Sequence, residues 1–428
     1  MAVKTATGAP APLPAGVVAQ PAKRGFWAWL NKRLPVDEFI KTQMTGYWAP
    51  KNFNFWYFFG SLALAVLVLQ LLSGIYLTMF YKVGAATSFD SVEYIMREVD
   101  YGWLIRYLHS TGASAFFIVV YLHMYRALLY GSYRPPRELL WLIGMAIYLA
   151  LMAEAFMGYV LPWGNMSFWG AQVIVNLFGT IPGIGPGLVE WIRGDYAIAD
   201  ATVNRFFALH VALLPLALLL LVVLHLTALH EVGSNNPDGI EIHDRVGPNG
   251  KPLDGVPFHP YYTVKDIFGT AVFAVLFSIV VFFVPTFGGL FLESPNFEPA
   301  NPLSTPEHIA PAWYFTPYYA ILRAVPNQRL GALLLLLAVA AFFFLPWLDR
   351  SPVKSIRYKG WMSRTALALF TVSFVGLGYL GLQPATGVYV VLARVFTAIY
   401  FLFFVLMPFY TRLEPVKPVP ERVVYHAH

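Results

Sequence analysis

The chain has 428 residues, of which 58% are hydrophobic and only 12% are charged, whereas an ordinary soluble domain has about 25% charged residues. This composition excludes a soluble globular protein. The sequence contains no cysteine, which excludes disulfides, thiolate zinc, cysteine-ligated clusters and haem attached through a Cys-x-x-Cys-His motif. A net charge of +6 could suggest nucleic acid in a soluble protein, but here we expect no nucleic-acid partner.

The chain divides into four parts. Residues 1–25 predict a disordered tail rich in Ala, Pro and Gly, and residues 26–45 predict an amphipathic helix on the membrane surface. A polar segment at 231–261 is expected to link residues 26–230 to residues 262–428. Each of eight apolar runs is long enough to span a bilayer as a helix of ~20 residues, and they are 53–81, 109–130, 139–160, 206–228, 267–290, 330–348, 365–382 and 388–410.

The basic residues indicate the orientation of these eight runs. If the N-terminus is cytoplasmic, 20 Lys and Arg residues fall on the inner side and 7 on the outer side. Since short cytoplasmic loops are enriched in Lys and Arg, both termini are predicted to be cytoplasmic. The fold class is therefore an all-α membrane protein with eight transmembrane helices. The outer loops 161–205 and 291–329 are long, which is typical of functional loops.

Two of the runs contain two histidines each, and a histidine within a membrane span usually marks a functional site. Run 2 has His109 and His123, related by a 14-residue step, and run 4 has His210 and His225, related by a 15-residue step. In each run the second histidine lies ~21–22 Å further along the helix than the first, and the two side chains point within ~60° of the same direction. His109 and His210 therefore share an outer level, and His123 and His225 share an inner one. This pattern suits two bis-histidine haems better than four separate hydrogen-bonded histidines.

Glycines and arginines near these histidines support a haem interpretation. Gly60 and Gly74 in run 1, and Gly144 and Gly158 in run 3, repeat the 14-residue step. Glycine leaves a gap in a helical wall that a flat macrocycle can enter, although close helix packing is the alternative. Two arginines each lie three residues from a candidate ligand and could pair with haem propionates, or else extend to the interface. They are Arg106 and Arg126.

Five long motifs resemble the cytochrome b family, the haem subunit of quinol–cytochrome c reductases, over about residues 26–412. They are YLHSTGAS (107–114), FMGYVLPWGNMSFWGA (156–171), NRFFALH (204–210), NPLSTPEHIAPAWYFTPYYAILR (301–323) and FFFLPWLDRSPVKS (342–355). The resemblance implies eight membrane helices, with two non-covalent haems b inside the bundle of the first four.

The resemblance also implies two quinone sites. The wall of an outer, quinol-oxidising site would include Phe156, Tyr159, Gly170, Pro311, Tyr314 and Tyr319. An inner, quinone-reducing site would include His230, Lys265 and Asp266. A histidine and a carboxylate are suited to relay the two protons that quinone reduction consumes.

The implied mechanism separates the two electrons of quinol. One goes to a Rieske-type iron–sulfur subunit and then to a c-type cytochrome, and the other crosses both haems to reduce quinone. Protons leave on the outer side and are taken up inside. The family further implies a homodimeric complex in the bacterial inner membrane, embedded in lipid. The absence of cysteine agrees, because the cluster and any covalent haem must then belong to partners.

The sequence departs from the family at the outer site. The usual Pro-Glu-Trp-Tyr motif reads Pro-Ala-Trp-Tyr here, with Ala312 in place of the carboxylate. Of the 23 acidic residues, Glu154 alone falls within a run, on the outer half of run 3. We hypothesise that Glu154 reaches the quinol site and replaces the missing group. The alternative is a neutral, hydrogen-bonded structural glutamate.

A second departure is the 15-residue step from His210 to His225, since many family members use the 14-residue step in both helices. This extra residue predicts a small local bulge in run 4. Two other functions remain to be separated from the cytochrome b interpretation. One is a di-haem anchor of a dehydrogenase or hydrogenase, which would lack the long outer loops, and the other is a proton-coupled transporter.

Overall fold

The computed structural model describes residues 25–424, so the predicted disordered tail lies outside the described residues except for Gly25. The predicted surface helix over 26–45 is broken. It consists of an α-helix at Phe26–Asn31, a second at Val36–Ile40 and a π-helical turn at Lys41–Thr45. Pro35 separates the first two, because proline lacks the backbone N–H that a continuous helix needs.

Eight helices within residues 25–424 are long and apolar enough to cross a membrane, which confirms the eight predicted runs. Two of them change helix type along their length. The fourth contains the π-helical segment Leu209–Leu213, and the sixth contains the 3-10 segment Ala341–Phe344. In chain order the helices are α1 Phe58–Thr78, α2 Gly102–Tyr130, α3 Glu138–Val160, α4 Asp200–Val232, α5 Phe258–Phe283, α6 Gln328–Leu348, α7 Trp361–Gly381 and α8 Gly387–Leu413.

The helices pack in pairs. α1 lies along α2, α3 lies along α4, and α7 lies along α8. The main hydrophobic core joins α2 and α3 to the last three helices. α4 and α5 instead present long apolar faces that no other described part of the chain covers, with Leu216, Leu220 and Phe283 more than half exposed. Such faces are stable in contact with hydrocarbon, as expected for a membrane-embedded bundle.

The loops at one end of the bundle, which the predicted topology places outside, contain their own helices. The α1–α2 loop holds Ser88–Arg97, and the α3–α4 loop holds Asn165–Phe178 and Gly185–Arg193. The α5–α6 loop holds three 3-10 turns and one α-helix, and these are Phe287–Gly289, Ser294–Phe297, Trp313–Phe315 and Thr316–Arg323. We call this the outer end.

The opposite, inner end joins the two terminal segments to the α4–α5 loop, which also holds the 3-10 turn Ile242–Asp244. Strand β1, Trp48–Pro50, pairs antiparallel with β2, Gly255–Pro257, in the register Trp48 to Pro257. The C-terminal segment reaches the same loop, because Arg422 hydrogen-bonds Asp254. Both terminal segments therefore lie at one end of the bundle, as the predicted orientation requires.

Two carboxylates of the α4–α5 loop, at the inner end, are paired with cations. Asp254 lies 2.8 Å from Lys51 Nζ and 2.8 Å from Arg422 Nη2. Burial alone would raise its pKa, but the hydrogen bonds from Arg422 and Lys51 lower the pKa of Asp254 to about 2. Burial likewise opposes ionisation of Glu241, yet hydrogen bonds from Arg137 and Lys354 lower its pKa. These pairs hold five chain segments together at this end.

Candidate functional site

The four membrane histidines meet in two pairs, one at each predicted level. The ring centroids of His109 and His210 are 6.1 Å apart, and those of His123 and His225 are 6.4 Å apart. Metal–imidazole bonds are about 2 Å long, so one metal ion fits between two rings whose centroids are about 6 Å apart. Within residues 25–424 no cluster of three or more His, Asp or Glu forms, and two-histidine axial ligation needs only pairs.

Each of the four predicted glycines lies against one histidine ring. A Cβ atom at Gly158 would lie 2.4 Å from Cε1 of His210, and one at Gly74 would lie 3.1 Å from Cε1 of His109. At the inner level the matching distances are 3.1 Å from Gly144 to His225 and 3.5 Å from Gly60 to His123. The glycines therefore make room for the imidazoles themselves, in addition to any gap they leave for a macrocycle.

The predicted bulge in the fourth helix is confirmed, and the glycine contacts explain why it is needed. Gly144 and Gly158 of α3 keep the 14-residue step, but the histidines of α4 that face them are one position further apart. The π-helical segment Leu209–Leu213, which contains His210, absorbs one residue. The two imidazoles of α4 therefore lie as far apart along the helix axis as the two glycines of α3 that they contact.

The Nδ1 atoms of the outer pair are held by protein groups. His109 Nδ1 lies 3.0 Å from Ser73 Oγ, and His210 Nδ1 lies 3.0 Å from the backbone oxygen of Glu154. The inner pair differs. The Nδ1 atoms of His123 and His225 are buried and make no hydrogen bond to any described residue, although the Leu140 backbone lies near His225. The outer rings are thus fixed with their Nε2 atoms free for a metal.

The two predicted propionate arginines lie in different surroundings. Arg126 donates a 2.8 Å hydrogen bond to the backbone oxygen of Asn235 and lies over the ring of Phe53. The guanidinium of Arg106 donates no hydrogen bond to a residue within 25–424 and is only partly exposed. Arg106 is therefore the freer of the two to pair with an anionic group at the outer level.

A cavity of about 770 Å³ opens at the outer end between α3, α4 and the α5–α6 loop. Its wall is almost entirely apolar, and it has the size and character of a site for a hydrophobic small molecule. Among the described residues, Arg205 is its one charged lining residue, and no carboxylate lines it. Five of the six residues predicted for the quinol-site wall line this cavity, namely Phe156, Tyr159, Gly170, Pro311 and Tyr319.

Tyr314, the sixth predicted residue, does not line the cavity. Its ring stacks on Phe117 at 3.9 Å with an angle of 2° between the planes, inside the core. The Trp313–Phe315 turn directs neighbouring side chains in different directions, so Phe315 lines the cavity while Tyr314 does not. The resemblance alone could not distinguish these two directions.

Glu154 contacts a histidine and does not line the cavity. Its Oε1 atom lies 3.1 Å from His210 Nδ1, and its Oε2 atom is buried and has no hydrogen-bond partner among residues 25–424. Ala153 and Phe156, its neighbours on α3, line the cavity instead. The hypothesis that Glu154 acts on quinol stays a prediction, and the observed contact is of the kind by which carboxylates orient histidines that bind metals.

A different carboxylate, Glu293, approaches the cavity through Tyr159. The Tyr159 hydroxyl donates a 3.0 Å hydrogen bond to Glu293 Oε2. Burial raises the pKa of Glu293 to about 7. In the sequence, Glu293 is one of the many acidic residues that lie outside the eight apolar runs. No local pattern singles it out, because its contact with α3 joins residues 134 positions apart.

The residues predicted for the inner site do not meet. His230 Nδ1 donates a 2.8 Å hydrogen bond to the Leu226 backbone oxygen, and its ring packs against Tyr47. Asp266 accepts a 2.8 Å hydrogen bond from Ser61, and Lys265 lies over the ring of Tyr262. No hydrogen bond or ring contact joins His230 to Asp266 in the described part of the chain, so their joint role stays a prediction.

Comparisons with known proteins agree with this geometry. The chain matches the family model described as "Cytochrome b/b6/petB" over residues 44–233 and that described as "Cytochrome b(C-terminal)/b6/petD" over residues 299–401. It is 60% identical to "Cytochrome b" of Allochromatium vinosum over 92% of this chain and 97% of the relative. It is 45% identical to "Cytochrome b/c1" of Bradyrhizobium diazoefficiens, over 92% of this chain and 56% of that protein.

A solved structure agrees as well. A chain of "Hyperthermophilic respiratory Complex III" superposes with a TM-score of 0.84 at 38% sequence identity, over 90% of this chain and 98% of that one. These matches confirm the resemblance over both halves and favour it over a dehydrogenase anchor or a transporter. The chain therefore belongs to the cytochrome b family, the membrane subunit of the complex III oxidoreductases.

Proposed function

We propose that the chain holds two non-covalent haems b, one between His109 and His210 and one between His123 and His225. The observation that carries this proposal is the double pairing of imidazoles about 6 Å apart, each against a glycine. When bound, the haems would supply one-electron redox centres at two depths of the membrane. The chain's own part is to fix the four rings, and Arg106 and Arg126 are suited to neutralise propionates.

We further propose that the outer cavity binds and oxidises quinol. Its apolar wall would exclude water and accept the isoprenoid-bearing ring, while the hydroxyl of Tyr159 offers a polar contact. Tyr319 is held by a 3.0 Å hydrogen bond to the Ile309 backbone oxygen and by Arg323 over its ring. Phe156, Gly170 and Pro311 would shape the wall, and Tyr314, which does not line the cavity, is proposed to act at its edge beside Glu293.

The inner quinone site is proposed at His230, Lys265 and Asp266, on the resemblance of these positions to the family. His230 and Asp266 would hold and deliver protons taken from the cytoplasm. Glu154 is proposed to orient His210, and its predicted action on quinol would be an additional role. The two roles can be distinguished by replacing Glu154. Loss of an orienting contact would change the metal site at His210, whereas loss of a group that acts on quinol would change only the rate of the reaction.

The proposed assembly is a membrane complex with a Rieske-type iron–sulfur subunit and a c-type cytochrome, dimeric and located in the bacterial inner membrane with both termini cytoplasmic. The name "Cytochrome b/c1" of one relative supports a c-type partner. The cation bias of the loops supports the orientation.

Redox titration of the purified complex tests this function. Two b-type absorption components with different midpoints are expected, and one should be lost in His210→Ala and the other in His225→Ala. A stigmatellin-type inhibitor should perturb only the outer component and an antimycin-type inhibitor only the inner one. His259→Ala, an exposed histidine at the start of α5, is the matched control. Absence of any b-type absorption band would contradict the proposal.

A further inference from the structure

The outer cavity has no carboxylate among the described residues of its wall, yet quinol oxidation must release protons there. Ala312, which lines the cavity, cannot accept one. The polar group of the wall that leads to a carboxylate is the Tyr159 hydroxyl, which donates its hydrogen bond to Glu293. Tyr159 thus stands between the cavity and an acidic side chain.

Glu293 is partly exposed and lies just before the 3-10 turn Ser294–Phe297, whose first residue is exposed. This turn is fastened to the Asn165–Phe178 helix, because Asn296 Oδ1 accepts 2.9 Å hydrogen bonds from Ser167 N and Oγ. Glu293 is therefore held in place in contact with Tyr159, and it is partly exposed at the outer end.

The groups that face Glu293 leave its charge uncompensated. Tyr159 of α3 and Tyr314 of the Trp313–Phe315 turn are its titratable neighbours, and burial together with Glu293 raises the pKa of Tyr314 further above its usual value. Both are neutral phenols, and the Asn165–Phe178 helix contributes only uncharged side chains here. No Lys, Arg or His within residues 25–424 forms an ion pair with Glu293, unlike Asp254 and Glu241 at the inner end.

Resting on the proposed function of the cavity, we propose that Glu293 accepts one of the two protons released by quinol, with the Tyr159 hydroxyl as the link, and gives it to water on the outer side. The quinol hydroxyl passes its proton to the Tyr159 oxygen while the Tyr159 proton moves to Glu293 Oε2. Tyr159 ends unchanged, Glu293 becomes neutral, and the proton then leaves to bulk water. The electrons follow the path already proposed and do not involve Glu293.

The acid–base character of Glu293 suits this task. A proton acceptor works best when its pKa lies near the operating pH, and burial raises the pKa of Glu293 to about 7. Because the ionised form is the acceptor, the reaction should accelerate as pH rises through about 7. Glu154 differs, since its contact is with His210 and it does not line the cavity.

The experiment is the pre-steady-state rate of quinol oxidation by the assembled complex, measured from pH 5 to 9. Glu293→Gln is expected to lower the rate about 100-fold at neutral pH and to remove its dependence on pH near 7. Tyr159→Phe should give a similar loss, and the double variant little more, because both act in one path. Glu293→Asp, which retains a carboxylate, should retain the pH dependence at a reduced rate.

Glu298→Gln, an exposed carboxylate five residues further along the same loop, is the matched control and should behave as wild type. Infrared titration without quinol gives an independent readout: a protonated-carboxyl band that disappears near pH 7 should be absent in Glu293→Gln. If Glu293→Gln kept the wild-type rate and pH profile while the complex still oxidised quinol, the assignment of Glu293 would be overturned and the site would stand. A wild-type complex that oxidised no quinol would overturn the proposed function instead.

Discussion

The outer and inner levels of the bundle use the same residue types in different ways. At the outer level both histidines have hydrogen-bonded Nδ1 atoms, one helix carries a π-helical segment, and the glycine at position 158 touches the ring of His210. At the inner level the histidines lie on regular α-helix and their Nδ1 atoms are unpartnered among the described residues.

Three carboxylates of the inner end differ from Glu293 of the outer end in the type of their partners. Asp254, Glu241 and Asp349 at the inner end are each paired with a cation, and all three have lowered pKa values. Glu293 at the outer end has a phenol as its partner and a raised pKa. Paired carboxylates stay ionised and hold segments together, whereas an unpaired one near neutrality can exchange protons. The three inner carboxylates therefore stabilise the fold, whereas Glu293 has the acid–base character that its proposed role requires.

The largest expected effect is the loss of a haem when a glycine that contacts a histidine is replaced by alanine. The test compares this substitution at the outer and the inner level. Gly158→Ala should abolish the outer haem component, because its Cβ would lie 2.4 Å from Cε1 of His210, so the imidazole must move. Gly60→Ala should be tolerated, since its Cβ would lie 3.5 Å from His123, an ordinary contact distance. The haem-to-protein ratio and redox titration check both. Equal haem contents in the two variants would mean that glycine and histidine are packed equally closely at the two levels.

A smaller effect is expected at the inner end when one partner of a buried ion pair is removed. Lys359→Met leaves Asp349, which is fully buried, without its cation, and this should lower the free energy of unfolding by about 3–5 kcal/mol. Tyr133 would still donate its hydrogen bond to Asp349 but cannot replace the charge.

The matched control is Arg245→Met, which removes the exposed ion pair with Glu421 and should cost no more than about 1 kcal/mol. Thermal unfolding of the complex in detergent measures both. Similar losses in the two variants would show that burial does not distinguish the ion pairs of this end.

The smallest expected effect is that of deleting Val211 from the π-helical segment. The deletion shortens the step from His210 to His225 by one, so that it equals the step between the histidines of α2, and a regular α-helix then suffices; haem content should be unchanged. Insertion of one Ala after Leu219 is the contrasting variant, because it rotates the two histidines by about 100° relative to each other. That variant should lose a haem component, and the visible spectrum distinguishes the outcomes. Loss of haem on deletion would mean that the bulge has a role beyond matching the two steps.

Helical periodicity made the membrane part of this molecule predictable. The eight spans, the two histidine levels, the four glycines and the bulge beside His210 follow from the spacing of residues along helices, because spacing determines depth and direction. Tyr314 does not line the cavity, because a single 3-10 turn determines which of its side chains face it, and the role of Tyr314 at the quinol site stays a prediction. Glu293 and the ion pairs of Asp254 and Glu241 were not predicted, because they join residues more than 100 positions apart in loops without periodicity.

The π-helical segment has a consequence for how such helices vary in length. The glycines of the neighbouring helix determine where the two imidazoles of α4 lie. The number of residues between the two histidines can therefore change by one if a π-helical turn accommodates the extra residue. An insertion that would otherwise disturb a whole helix is confined here to Leu209–Leu213. Counting residues between ligands is therefore a weaker criterion for aligning such chains than matching each histidine to the glycine it touches.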